Sequence, residues 1–492
     1  MTPVNPSRKL DRYEKILIVL FAVSLPLVNP WVRGDGVGYY AYARALVINH
    51  NLRFEQDWQN ANPSFRGGRL DADGRIRADQ YTSTGYLDNH FTIGPALIWI
   101  PFLEAAHLAV LCADHFGANI PPTGYSWPYL DTMAVVTALA GFLGLFISFR
   151  LARKYFPERW AFAATLGIWF ASSLPVYMYF NPSWSHAQSA FMVAIFLWYW
   201  DYTREARAPR QWFLLGLISG LMIDMYYPNA LFLLAFAVEC YAGLGEWVRS
   251  TLQPVRAKEV FEKCSLFAVA LLLAFSPTLI TRRIIYGGIF RTGYTGSGLW
   301  HFKAPLWGRV LFSTDHGLFS WTPVLILACV GLAFLFLRDR RIGTAAIVSL
   351  IAFYYLISSY QNWDGISSFG NRFFISLTPI FVLGLAAMLT AFERVWRSRT
   401  AVVSSAVGVL TLLTVWNCGL IFQWGMHLIP ERGTFSWSEM AANQFLIVPE
   451  GISDSIARYF TARHALMQNI EKKDLHQLGE ADPSQGKPSR KQ

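Results

Sequence analysis

An all-α protein that crosses a membrane many times is the fold class predicted here, and three observations carry it. Hydrophobic residues make up 53% of the 492 positions and charged residues only 15%, with a mean hydropathy of +0.30, a balance that soluble domains of this length rarely keep. The apolar residues gather in runs of about 17 to 25, the length a helix needs to cross the bilayer core. Basic residues fall in short clusters between alternate runs, where topology signals sit. The net charge of +10 is therefore spent on topology, which argues against nucleic acid as a partner.

The runs lie near 15–30, 127–149, 160–180, 185–202, 212–226, 228–247, 265–285, 318–337, 342–358, 373–392 and 401–424, about eleven spans in all. A further apolar stretch, 91–112, is broken by Pro95 and Pro101 and carries Glu104 and His107. It reads as re-entrant or juxtamembrane, because keeping it out of the membrane core gathers half of the chain's 42 basic residues on one side. Those residues are Arg8, Lys9, Arg12 and Lys15, then the clusters Arg150–Arg159, Arg204–Arg210, Arg249–Lys263, Arg338–Arg341 and Arg394–Arg399. The positive-inside rule assigns that side and the N-terminus to the cytoplasm. The first run lacks a small-x-small cleavage site and reads as an uncleaved helix.

One transmembrane domain over 1–424 follows, with two large outer loops at 31–126 and 286–317 and an outer tail at 425–492. In the tail Ile452, Ile456, Tyr459 and Phe460 have helical spacing, and the polar sequence after about 475 is expected to be disordered. The five cysteines show neither CxxC nor Cys/His spacing, so neither a disulfide framework nor a zinc site is expected.

Chemistry is expected in the first outer loop. Asp35 stands in Gly34-Asp35-Gly36-Val37-Gly38-Tyr39-Tyr40, and the apolar residues at 39, 43, 46 and 47 predict a short amphipathic helix on the membrane surface with an acid at its start. Asp35 then has two readings, a helix N-cap or a reactive carboxylate. The same loop carries Asp88-Asn89-His90 and Gly94-Pro95-Ala96-Leu97. Asp131, His186 and Asp224 sit near the outer ends of three separate spans, where ionisable groups are functional candidates. Arg282, Arg283, Arg291 and Lys303 in the second outer loop, and Arg372 after a turn containing Gly365 and Gly370, are placed to hold a lipid phosphate.

Together these segments resemble the C-type glycosyltransferase superfamily, membrane enzymes that take a sugar from a polyprenyl-phosphate or polyprenyl-diphosphate carrier. Asp35 and Tyr39 match an Asp-Glu-x-x-Tyr-like motif of the protein mannosyltransferases and lipid A aminoarabinose transferases, with Gly36 where a second acid is common. Gly94-Pro95-Ala96-Leu97 resembles their Lys-Pro-Pro-Leu-like segment without the Lys, and Asn181-Pro182-Ser183-Trp184-Ser185-His186 stands where they often carry an acid.

The resemblance implies transfer of a sugar from a polyprenyl-phosphate donor to a glycan, lipid or protein acceptor outside a bacterial-type inner membrane. It implies Asp35 as the catalytic base or charge stabiliser, and Tyr39, Asp88, His90, His186, Arg291 and Arg372 as substrate-binding groups. Asp35, Asp88 and His90 are the candidates to hold a divalent cation, Mg or Mn. Two rivals share the lipid-linked substrate: a transporter or flippase, and a polysaccharide polymerase or ligase. Transporters tend to show internal repeats and polar residues at mid-membrane, whereas here no repeat is visible and the acids cluster at the outer face.

Overall fold

The computed structural model describes residues 10–242, 254–294, 298–396 and 398–480. Arg8, Lys9, Arg249 and Arg397 of the basic clusters, and the end of the tail, lie outside them. The described chain is helical, and its β pairing is limited to three isolated bridges, Leu70 with Ile76, Tyr81 with Leu87 and Trp300 with Tyr360. Six described helices are long and apolar enough to cross a membrane: Gly94–His115, Trp127–Tyr155, Lys258–Tyr286, Arg340–Ser358, Arg372–Val395 and Thr400–Gly425. Shorter apolar helices include Tyr227–Glu239 and Val324–Arg338. The chain is a multi-pass membrane protein.

The basic clusters do meet at one end of the molecule. Asp11 caps the first helix, Arg12–Ser24, in a reciprocal capping box with Glu14, and both acids also pair with the far end of helix Trp127–Tyr155. Arg150 Nε lies 2.8 Å from Glu14 Oε1, and Arg153 pairs with Asp11. Lys154 with Asp201 at 2.5 Å, Arg204 with Asp339 at 2.7 Å and Arg207 with Glu239 at 2.6 Å continue the belt. Glu239, which carries no expected role, is thus one of the acids that pin this face. Each pair has at least one partly or fully buried member, and as a network they fix the helix ends against one another.

The opposite face holds Asp35. Tyr40 donates to Gly124 O at 2.6 Å, and Arg44 lies over the Tyr125 ring at 5.0 Å. The chain entering helix Trp127–Tyr155 therefore lies beside the Asp35 loop, and the end of that helix lies beside the N-terminus. The first helix and this one cross in opposite senses, so the apolar helix between them, Gly94–His115, makes no net crossing. Trp99 Nε1 donates to Thr137 at 2.9 Å and His107 meets the Tyr129 hydroxyl at 2.6 Å, which is an antiparallel register along the outer part of helix Trp127–Tyr155. A re-entrant or juxtamembrane helix is what this geometry describes, formed as one continuous element despite Pro101.

Segment Arg372–Val395 is the centre of the bundle, with 94% of its apolar window buried. Because its first residues are enclosed rather than lipid-facing, Arg372 is held inside the protein at the outer end. The C-terminal helix, Arg463–Glu480, runs past 475 in ordered form and folds back on the first outer loop. Glu471 accepts from Asn62 Nδ2 at 3.0 Å and from Ser64 N at 2.6 Å, while Tyr459 and Arg463 donate to the Leu27 and Val28 carbonyls at 2.6 Å.

Candidate functional site

The helix that begins at Asp35 runs to Arg44, and Gly36 through Arg44 are all buried. This corrects the expected surface helix: its apolar pattern packs against protein on every side. Tyr39 packs at a tilt against Phe91 with ring centroids 4.8 Å apart, Tyr42 meets Phe54 at 5.1 Å, and Arg44 pairs with the buried Asp57 at 2.6 Å. Gly36 and Gly38 make the close approach feasible, since an added Cβ would fall 1.9 Å from Ser183 Oγ and 2.1 Å from the Phe91 ring. The second acid common in the resembling motif has no room at position 36 in this chain.

Asp35 is not the cap of its helix. Gly34, at φ 53°, occupies the N-cap position, and no side-chain capping bond is made. Asp35 is instead a first-turn residue whose carboxylate is favoured by the helix dipole and pairs with Arg372 Nη2 at 2.8 Å. The two partners differ in access, with the Arg372 side chain 7% exposed and that of Asp35 33% exposed. The guanidinium lies 4.1 Å over the Trp184 ring, a cation–π stack that holds its plane. Its Nε, facing the turn at Gly365, has no hydrogen-bond partner among the described residues. The positive φ of Gly365 and Gly370 shapes that turn.

His186 starts the helix beneath this pair. It is buried, lies within coulombic reach of Arg372, packs 5.0 Å from Tyr177 and 6.0 Å from Tyr226, and leaves Nδ1 without a partner among the described residues. Tyr39, Tyr226, Tyr294 and Tyr360 all lie within coulombic reach of Asp35. The site is thus an aromatic-walled recess with one carboxylate at its mouth and one guanidinium at its floor.

Asp88 and His90 reach the same recess from the side. Asp88 is exposed and accepts from the Tyr286 hydroxyl. His90 packs between Phe91 at 4.2 Å and Tyr294 at 5.2 Å, and burial lowers its pKa while Asp88 and Asp35 oppose that shift. The turn between them is clamped: Asn89 Nδ2 donates to Gly38 O at 2.9 Å, and the buried Arg282 donates to the carbonyls of Asn89, His90 and Phe91 at 3.1, 2.7 and 2.7 Å. Arg282 also donates to the Tyr227 hydroxyl at 2.8 Å. Its donors are spent on the backbone, so it serves as a clamp and not as the expected phosphate ligand. Arg291 stays exposed on its loop, packed against Gly288.

Three participants escaped sequence reasoning. Trp184 lies inside the Asn181–His186 segment that stood out for lacking an acid, and its aromatic ring was the signal. Arg69 lies within coulombic reach of Asp35 and Asp88, and burial lowers its pKa against their pull. Nothing in its polar surroundings marked it. Arg33 pairs with Asp474 at 2.6 Å and lies 3.8 Å from Glu431, and His427 contacts the same two acids at 2.6 and 3.3 Å.

This last cluster bears on metal binding. His427, Glu431 and Asp474 form the one set of three such ligands found within 4.8 Å of one another among the described residues. Asp35, Asp88 and His90 form no such set, and Asp35 already has a guanidinium as its counter-ion. At the tail cluster Arg33 supplies the cation that two carboxylates require, and every member is ion-paired, which makes a closed charge network.

No curated protein matches the chain. A family model described as dolichyl-phosphate-mannose-protein mannosyltransferase matches residues 130–282, a segment that includes His186 and Asp224 and leaves Asp35 and Arg372 outside. Among solved structures the chain is similar to ArnT from Cupriavidus metallidurans in a crystal structure bound to undecaprenyl phosphate, at 15% identity over 94% of this chain and 74% of that one, with a TM-score of 0.49. The resemblance to the C-type glycosyltransferase superfamily, read from the sequence, is borne out by the mannosyltransferase family match.

Proposed function

We propose that the chain is a membrane glycosyltransferase that moves a sugar from a polyprenyl-phosphate-linked donor to an acceptor presented at the Asp35 face. The observation that supports this best is the pairing of a one-third exposed carboxylate with a buried guanidinium, 2.8 Å apart, in an aromatic recess. In the reaction the acceptor hydroxyl oxygen bonds to the anomeric carbon as the bond from that carbon to the phosphate oxygen breaks. Asp35 takes the hydroxyl proton, a role that needs hydrogen-bond reach and an ionised carboxylate. The electron pair of the broken bond stays on the departing polyprenyl phosphate, where Arg372 offsets the growing charge.

Tyr39, His186 and Trp184 shape the recess around the sugar, and Asp88 and His90 stand where the acceptor enters. The test is transfer by purified protein in lipid nanodiscs, using polyprenyl-phosphate-linked sugars chosen by mass spectrometry of co-purified lipid. Wild type is expected to free the carrier phosphate and the Asp35→Asn variant to leave it sugar-linked. Movement of intact lipid-linked sugar across a vesicle without cleavage would identify a transporter instead.

A further inference from the structure

Arg372 is a buried cation ion-paired to Asp35, and that partner is the group assigned to take the proton. A guanidinium enclosed in protein without a counter-charge is costly, and Asp35 meets that need at 2.8 Å while keeping a third of its own side chain open. A carboxylate held this way is masked: its charge is neutralised, and one oxygen, Oδ2, lies 2.8 Å from Arg372 Nη2. The phosphate proposed to bind Arg372 seeks the same N–H edge, because phosphate and carboxylate offer oxygens of the same geometry to guanidinium. Among the described residues the nearby guanidinium groups are engaged: Arg282 on backbone carbonyls, Arg432 on Ser367 Oγ, and Arg69 between Asp35 and Asp88.

From this competition we infer that the Asp35–Arg372 ion pair is the resting latch of the site, and that the phosphate of the lipid donor opens it by replacing Asp35 on Arg372. The inference rests on the reading of Arg372 as the phosphate ligand and adds a regulation to it. Before the donor binds, Asp35 is masked; once the phosphate sits on Arg372, Asp35 is released beside an added negative charge and can accept a proton. The base is thus unmasked only when the sugar donor is in place, which imposes donor-before-acceptor order and protects the recess from idle proton transfer. Trp184 and the Gly365 turn hold the guanidinium while its partner changes, so the exchange requires motion of Asp35 alone.

The test measures binding of a long-chain polyprenyl phosphate to the full chain in nanodiscs, with the uncharged polyprenol as control. Asp35→Asn removes the competing charge and should bind the phosphate lipid about tenfold tighter, equivalent to about 1.4 kcal/mol, with the polyprenol unchanged. Arg372→Ala should lose that preference for phosphate, and Arg372→Lys covers the case in which the Ala variant does not fold. The double variant Asp35→Asn/Arg372→Lys should gain less from the Asn change than the wild-type background does. If Asp35→Asn binds no tighter while the Arg372 variants bind weakly, Arg372 remains the phosphate ligand and the latch is overturned. An equal gain from Asn in both backgrounds overturns it too, since the competition would not run through Arg372. If the Arg372 variants bind like wild type, the phosphate reading itself fails.

Discussion

Arg33 and Asp35 are separated by one residue in the chain and serve charge clusters of opposite character. Arg33 enters a closed network with Asp474, Glu431 and His427, whose side chains are 11%, 2%, 10% and 4% exposed in that order, so no member is left open. Asp35 enters an open pair in which the base is one-third exposed and the cation keeps an unpartnered Nε. A buried network whose charges are all paired holds structure, although His427 Nδ1 has no hydrogen-bond partner among the described residues; a pair with one member partly open to solvent can exchange partners. The turn at Gly34, fixed by Trp184 Nε1 donating to Arg33 O at 2.9 Å, sends the two charges their separate ways.

The largest effect is expected where the open pair meets the chemistry. Asp35→Asn keeps the shape of the side chain and, because Gly34 and not Asp35 holds the N-cap position, costs no cap. Transfer should fall by roughly 100- to 10,000-fold, the span for loss of a general acid–base group, while the thermal unfolding midpoint falls because the buried Arg372 loses its counter-charge. Turnover within a few-fold of wild type would return Asp35 to a structural role and make Asp88 the next candidate for the base.

Next in size is Arg372→Ala, which should weaken the donor by roughly 1.5 to 3 kcal/mol, the range for hydrogen bonds to charged groups. Donor titrations separate this from misfolding, because binding of the uncharged polyprenol should survive. Unchanged donor affinity would place the phosphate elsewhere in the recess.

How much of this was legible follows from what each signal encodes. The membrane class and the gathering of basic clusters at one end are one-dimensional properties of apolar length and charge, and both appear in the fold. The character of the Asp35 helix is not one-dimensional: helical periodicity marks which faces are apolar but not whether lipid or Phe91 and Phe54 will cover them. Asp35 and Arg372 each stood out locally, but their contact joins distant segments. Arg282 shows the reverse failure, since a basic residue at lipid-headgroup depth reads as a phosphate ligand until its donors are seen on the carbonyls of Asn89, His90 and Phe91. The tail cluster had no local pattern at all, being assembled from residues 33, 427, 431 and 474.

A smaller effect on transfer is expected from the closed network. His427→Gln leaves two carboxylates sharing Arg33 alone and should lower stability by about 1 to 3 kcal/mol, in the range for a broken charged hydrogen-bond network. Transfer by the folded fraction should stay within about threefold of wild type, because the link from the network to the recess runs through the Arg33 carbonyl on Trp184 Nε1 and not through His427. A loss comparable to that of Asp35→Asn would dissolve the distinction between the two clusters.

The smallest expected change is a release of the C-terminal helix with pH, and its direction follows from the charges. Burial opposes a charged His427, but its hydrogen bonds to Asp474 and Glu431 prevail and raise it from 6.5 to about 9. Burial likewise opposes a charged Glu431, and His427 with Arg33 prevail and lower it from 4.5 to about 2. A raised histidine contributes stability that is complete below its unfolded value and is lost as pH climbs through about 9. A lowered carboxyl contributes stability that is complete above its unfolded value and is lost as pH falls through about 2. Asp474, raised by burial, works against the lock at neutral pH and reduces the net gain. Docking of Arg463–Glu480 on the first outer loop should therefore be firmest between about pH 4.5 and 6.5 and loosen as pH climbs from about 6.5 to about 9. Hydrogen exchange of amides in 463–480, followed from pH 6 to 10 and corrected for the intrinsic rate, reads this directly. Protection that falls between about pH 6.5 and 9 in wild type and is already low in His427→Gln at pH 6.5 is the expected result. Protection that is flat to pH 10 in both would mean that Glu471 and the Tyr459 and Arg463 contacts hold the helix without the charge network.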